Sequence, residues 1–247
     1  MSNVFICENA QKLGEKAGQK AGESIKAAIN ERGQANIILA TGASQFETLK
    51  TLINQNIDWS KVVMFHLDEY IGLPESSPAS FRRYLKERFI AYVPPLKAVY
   101  LINGEEDTKS ECERLNSIII NHPVDVALVG IGENGHLAFN DPPADFEIED
   151  PYIIVTLNNE CRQQQFNEGW FESINDVPRK AISMSIKHIC KSSTIICSVP
   201  DNRKATAVKK SLEEKVNNLV PASILQSHQS CFFYLDRLSS SLLTKQN

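Results

Sequence analysis

No run of about 18 consecutive apolar residues occurs in the chain, so nothing in it reads as a membrane-spanning helix. Residues Met1 to Cys7 also lack the basic start and apolar stretch of a secretory signal. Six cysteines are present, at positions 7, 112, 161, 190, 197 and 231, yet none forms a CxxC pair or clusters with a histidine. Cys7, Cys197 and Cys231 lie in apolar runs where a thiol behaves as a small hydrophobe. Reduced cysteines are therefore expected, with neither disulfide nor zinc. The five histidines are dispersed and form no HExxH pair, which leaves metal chemistry without a sequence signal. A basic run is missing too. The 26 Lys and Arg against 30 Asp and Glu give a formal net charge of −4, which offers no surface to nucleic acid or to an anionic membrane. Repeats, low-complexity tracts and interdomain linkers are likewise absent. What is left is a soluble, cytoplasmic chain expected to form a single domain over 1–247, with 42% hydrophobic residues to fill one large core.

Short apolar strands alternate with helical stretches. Val4 to Cys7 precedes an amphipathic stretch from Ala10 to Arg32 that Gly33 ends. Strands are expected at Ile37 to Ala40, Val62 to Leu67, near Val99 to Ile102, and at Val124 to Val129, Ile153 to Leu157, Thr194 to Val199 and Cys231 to Leu235. Helices are expected from Ser44 to about Ile53, Phe81 to Phe89, Thr108 to Asn121 and Asn202 to Leu212. This spacing implies right-handed βαβ crossovers and an α/β, Rossmann-like doubly wound, mainly parallel sheet with helices on both faces. Between Arg162 and Arg179 the rhythm breaks in a polar stretch containing Gly169-Trp170-Phe171. It reads either as a lid or as a passive surface excursion.

The segment Gly130-Ile131-Gly132-Glu133-Asn134-Gly135-His136, followed by Asp141-Pro142-Pro143, carries the most chemistry. It leaves a buried strand through a glycine-rich turn, in which Gly132 leaves room for a ligand, and presents a histidine five residues before an acid. The GxGxxG pattern raises a dinucleotide site, but Pro142-Pro143 stops the long helix such a site needs, and no second strand ending in an acid follows about 20 residues on. Three further segments follow strands. Thr41-Gly42-Ala43-Ser44 suits an oxyanion at a helix start, or else Ser44 is an ordinary cap with Glu47 completing a capping box. Asp68 and Glu69 supply paired acids for general-base work, or else a solvated turn. Lys204, in a helix's opening turn, opposes the dipole unless it serves an anion or is simply a surface lysine. Strand ends in a parallel sheet share one edge, so all four segments can meet in one crevice.

Taken in order, Thr41-Gly42-Ala43-Ser44, Leu67-Asp68-Glu69-Tyr70-Ile71-Gly72-Leu73, the loop from Gly130 to Pro142, Asp176-Val177-Pro178, Ala181-Ile182-Ser183-Met184 and Pro221-Ala222-Ser223 resemble the glucosamine-6-phosphate deaminases (isomerases). The resemblance implies conversion of an amino-sugar 6-phosphate, foremost glucosamine 6-phosphate, to a keto-sugar 6-phosphate and ammonia, with no metal or cofactor. It implies that His136 moves the proton that opens the sugar ring, with Asn134 and Asp141 orienting it. Asp68 would carry the proton from C2 to C1, Glu69 and Tyr70 would support the site, and Thr41 to Ser44 with Lys204 would hold the phosphate. The partner implied is a small sugar phosphate, and a homo-oligomer stays open. Three departures stand out. Asp141 occupies a position where many members have glutamate, Asn167 replaces the lid arginine, and no allosteric segment follows the catalytic loop. Arg162 or Gln163-Gln164-Gln165 are the candidates to replace that arginine. The alternatives are a lactone hydrolase of the 6-phosphogluconolactonase type and a sugar-phosphate-binding protein without turnover.

Overall fold

A computed structural model of the protein describes residues 3–244; Met1, Ser2 and residues 245–247 of the expected domain lie outside the described residues. The chain opens with β1 (Val4–Cys7) and α1 (Ala10–Arg32). The Asn9 side chain caps α1 by accepting from the Lys12 N–H at 2.9 Å, and Gly33 ends it at φ 76°. There follow β2 (Ala35–Leu39), α2 (Phe46–Leu52), β3 (Val62–His66), β4 (Asp68–Tyr70), α3 (Phe81–Arg88), β5 (Ala98–Val99), α4 (Thr108–Ile119) and β6 (Val126–Val129). The second half contains β7 (Tyr152–Thr156), α5 (Asn159–Asn167), β8 (Lys180–Met184), α6 (Ile186–Ile189), β9 (Thr194–Val199), α7 (Ala205–Glu213) and β10 (Cys231–Asp236).

Among the described residues, seven strands form one sheet in the order β1-β10-β9-β6-β2-β3-β5, every pairing parallel. Such a sheet needs both faces covered. Within β2, Ile37 and Leu39 pack with Leu13 and Ile25 of α1 and Leu49 and Leu52 of α2. Ile38 turns the other way, toward Leu115 of α4 and Val208 and Leu212 of α7. With both faces covered, apolar residues dominate the strands, each buried Leu or Ile contributing roughly 1.5–3 kcal/mol. The doubly wound architecture read from the sequence is thus the one observed.

A second sheet departs from that reading. β7, expected to continue the run of parallel strands, instead pairs antiparallel with β8, and β8 with β4, in the order β4-β8-β7. β8 itself was not anticipated as a strand. Alternation marks a strand but carries no information on its direction or partner.

α1 and α2 approach unusually closely along Gly14, Gly18 and Gly22, spaced by four on one helix face. A Cβ at Gly14 would stand 2.3 Å from the Glu47 Cβ and 2.8 Å from the Thr48 backbone nitrogen. Alanine in a helix interior normally gains about 1 kcal/mol over glycine. Here overpacking against backbone, at roughly 1–3 kcal/mol, outweighs that gain. Gly14→Ala is therefore expected to lower the urea midpoint, and a raised midpoint would show that the contact yields easily. Because α2 begins just after Thr41 to Ser44, the same contact fixes that loop.

Candidate active site

The sheet order reverses between β2 and β6, from which the chain winds outward in opposite directions. Loops leaving this switch point diverge and open a crevice beyond the carboxyl ends. It is a cleft of about 370 Å³ that takes residues from the ends of the four central strands: Lys204 after β9, Gly132 and His136 after β6, Thr41 to Ser44 after β2, and Asp68 after β3. All four segments singled out in the sequence therefore meet.

His136 sits in a tight turn in which the Gly132 N–H donates to the His136 carbonyl at 3.0 Å. A Cβ on Gly132 would lie 2.2–2.4 Å from three atoms of the imidazole, so only glycine lets the ring lie over this backbone. Nδ1 of His136 stands 3.4 Å from Oδ1 of Asp141, an ion-pair distance longer than a good hydrogen bond. The Asn134 side chain joins the two, its Nδ2 donating to Asp141 Oδ1 at 3.0 Å and its Oδ1 accepting from the His136 N–H at 3.1 Å. Asp141 also accepts from the Asn158 N–H at 2.8 Å. Burial acts to raise the Asp141 pKa, but His136, Asn134 and the Asn158 N–H together outweigh it and hold the carboxylate below its ordinary value. No helix follows Gly135, as the proline pair requires.

Asp68 opens β4 and is 7% exposed, with no hydrogen-bond donor to its carboxyl among the described residues. Burial first, and then the Glu69 carboxylate, push its pKa up to about 8. Side chains alternate along a strand, so Glu69 points away from the cleft that Asp68 lines. Glu69 is fully buried and accepts from the Ser80 hydroxyl and from the N–H groups of Tyr70, Phe81 and Arg82, at 2.8–3.2 Å. It binds the amino-terminal turn of α3 and does not itself line the cleft. β8 ties the two chemical segments together. Ser183 lies opposite Asp68 in the ladder and accepts from the Phe139 N–H at 3.1 Å, while Asn140 Nδ2 donates to the Met184 carbonyl at 2.8 Å.

At the other end of the cleft, Lys204 is 7% exposed, and its ammonium makes no hydrogen bond or ion pair among the described residues. Burial depresses its pKa. Ser44 caps nothing: α2 has no side-chain cap, and Glu47 packs against α1, so the ordinary-cap reading of this loop gives way.

A family model described as glucosamine-6-phosphate isomerases/6-phosphogluconolactonase matches residues 8–233. The chain belongs to that family. The glucosamine-6-phosphate deaminase of Oenococcus oeni is 36% identical over 231 residues, 93% of this chain and 95% of that one. That of Lactobacillus delbrueckii subsp. bulgaricus is 32% identical over 97% of this chain and 99% of its own. A solved structure of a monomeric glucosamine-6-phosphate deaminase of the NagB superfamily superposes with a TM-score of 0.87 at 32% identity, covering 97% and 99% of the two chains. The 6-phosphogluconolactonase of Trypanosoma brucei, at 17% identity and a TM-score of 0.79, shares the fold.

Of the candidates to replace the lid arginine, Arg162 falls elsewhere. Arg162 donates to the Ile174 carbonyl at 2.6 Å and to the Val177 carbonyl at 3.1 Å, and it does not line the cleft. It staples the segment 162–179 from outside the cleft. Asn167 is exposed and accepts from Gln163 at 2.9 Å. The glutamines do better: Gln164 and Gln165 line the cleft, with Gln164 Oε1 accepting from the Glu133 N–H and Gln165 Oε1 from the Tyr70 hydroxyl, both at 2.8 Å. Arg203 and Glu168 line it as well and were not foreseen. Arg203 had a signal, a second cation beside Lys204 in the same helix start. Glu168 had none, because its approach to Lys204 and Gly42 depends on how α5 docks. The segment 162–179 is itself partly helical, and its Phe166, Phe171 and Ile174 pack with Tyr70, Phe139 and Cys161.

Proposed function

We propose that the protein converts glucosamine 6-phosphate and water to fructose 6-phosphate and ammonia, without a metal or cofactor. One observation carries the reading. A buried carboxyl with a pKa near 8 and no internal donor, Asp68, shares a cleft with a histidine held by two polar partners and with an unpaired ammonium. His136 moves the ring-opening proton between the ring oxygen and the C1 hydroxyl, and Asp141 and Asn134 fix its orientation. Asp68 then takes the proton from C2 and delivers it to C1, and water replaces nitrogen at C2 as ammonia leaves. Lys204, Arg203 and the N–H groups of Thr41 to Ser44 hold the phosphate, whose binding places C1 and C2 over Asp68. Glu69 acts on this chemistry through its charge, which keeps Asp68 basic. The reaction suits the cytoplasm and amino-sugar catabolism.

The deciding assay is ammonia release against glucosamine 6-phosphate, its galacto epimer and the unphosphorylated sugar, with 6-phosphogluconolactone hydrolysis alongside. Ammonia from glucosamine 6-phosphate supports the reading, and lactone hydrolysis without ammonia sinks it. His136→Gln separates the two proton transfers. Turnover of the closed-ring substrate is expected to fall by roughly 10²–10⁴-fold, the scale of general acid–base catalysis, and that of a ring-opened analogue by much less. Equal losses would reduce His136 to a structural role.

A further inference from the structure

We infer that His136, Asp141 and Cys161 form a latent site for a borderline or soft divalent cation of the zinc type, and that filling it stops turnover. The imidazole Nδ1, a carboxylate oxygen and the Cys161 Sγ all lie within 4.8 Å of one another. A tetrahedral ion with bonds of about 2.0–2.3 Å holds its ligand atoms roughly 3.3–3.8 Å apart, so a contraction of about 1 Å completes the set, with water as fourth ligand. Nδ1 of His136 is buried with no hydrogen-bond partner among the described residues, and it faces this group. The backbone holds the cluster in place. The Asn158 N–H donates to Asp141 and the Cys161 N–H donates to Asn158 Oδ1, each at 2.8 Å, which locks the first turn of α5 onto the carboxylate.

The electrostatics suit a cation. The Asp141 carboxylate lies beside the imidazole and the thiol and supplies the negative charge that a dication requires. Binding expels the thiol proton to solvent and takes the Nδ1 lone pair, so the bound imidazole keeps its proton on Nε2. It can then donate toward the cleft but cannot accept, and the ring-opening shuttle halts. Magnesium and calcium, which take oxygen ligands, do not fit this donor set. Inhibition rests on the role proposed for His136, whereas the binding itself does not.

Cobalt(II) titration of the purified enzyme tests the binding without turnover. The expected signal is a thiolate-to-cobalt charge-transfer band, absent in Cys161→Ser and Cys161→Ala and weakened in His136→Gln. Zinc inhibits the wild type and a chelator reverses it, while Cys161→Ser retains turnover and requires at least about tenfold more zinc. Magnesium gives no inhibition. A band that persists in both Cys161 variants, or equal zinc sensitivity in Cys161→Ser and wild type, overturns the assignment. If both Cys161 variants fold poorly, a full band in His136→Gln serves the same purpose, because the three-residue site then cannot be its origin.

Discussion

Asp68→Asn is expected to lower kcat by 10² or more while leaving the affinity for a substrate analogue nearly unchanged. The amide matches the carboxylate in shape but cannot accept the C2 proton, and a missing general base costs about that much. The same substitution should stabilise the fold at alkaline pH. In the native state the Asp68 proton leaves only near pH 8, against an ordinary value of 3.8. A native state that holds its proton more tightly has that stabilisation in full below pH 3.8 and loses it as the pH rises through 8. Asparagine has no proton to lose. The stability of the mutant should therefore gain on wild type as the pH rises from 3.8 to about 8, with no further gain above that. In the wild type, kcat/KM should rise with pH toward a plateau above about 8 as Asp68 ionises. Glu69→Gln should shift that rise to lower pH, since the Glu69 charge is one of the two causes of the high value. A mutant that keeps most of its activity removes Asp68 from the mechanism, and a pH profile unmoved by Glu69→Gln removes the electrostatic role of its neighbour.

The neighbouring acids also mark where sequence reading stops. Alternation of apolar strands with helices made the central sheet legible, and strand-end placement made the convergence of residues 41–44, 68, 136 and 204 legible. Both follow from local pattern and parallel topology. What was not legible depends on docking. Whether Glu69 faces the cleft or α3 is decided by where Ser80 and Arg82 arrive from outside its strand. Arg162 is drawn to the carbonyls of Ile174 and Val177 because the buried end of its own segment leaves those acceptors otherwise unpaired. The antiparallel β4-β8-β7 sheet was missed for the same reason, since a strand's partner is a tertiary property. The spacing of Gly14, Gly18 and Gly22, by contrast, was visible and needed only the question of what lies opposite.

Lys204→Ala and Glu168→Gln are expected to move phosphate binding in opposite directions. Lys204 is a buried ammonium without a partner, so an arriving phosphate supplies the charge it lacks, and its loss should weaken binding of a 6-phosphate ligand by roughly 1.5–3 kcal/mol. At about 1.4 kcal/mol per decade that is a rise in Kd of roughly 10- to 150-fold. The cleft end is far from purely basic. Arg203 is shared with Asp201 at 2.8 Å and Glu133 at 3.4 Å, and Glu168 adds a third carboxylate near Lys204. With no arginine at position 167, the phosphate meets two cations and three acids, so removing one acid should tighten binding where removing the lysine loosens it. The readout is the ligand-induced shift in thermal midpoint, measured for the phosphorylated and the unphosphorylated amino sugar. Only the first should respond to either variant, with a smaller shift for Lys204→Ala and a larger one for Glu168→Gln. A shift of equal size from the unphosphorylated sugar, unchanged by both variants, would mean that the anion cradle lies elsewhere and that Lys204 is buried for packing alone.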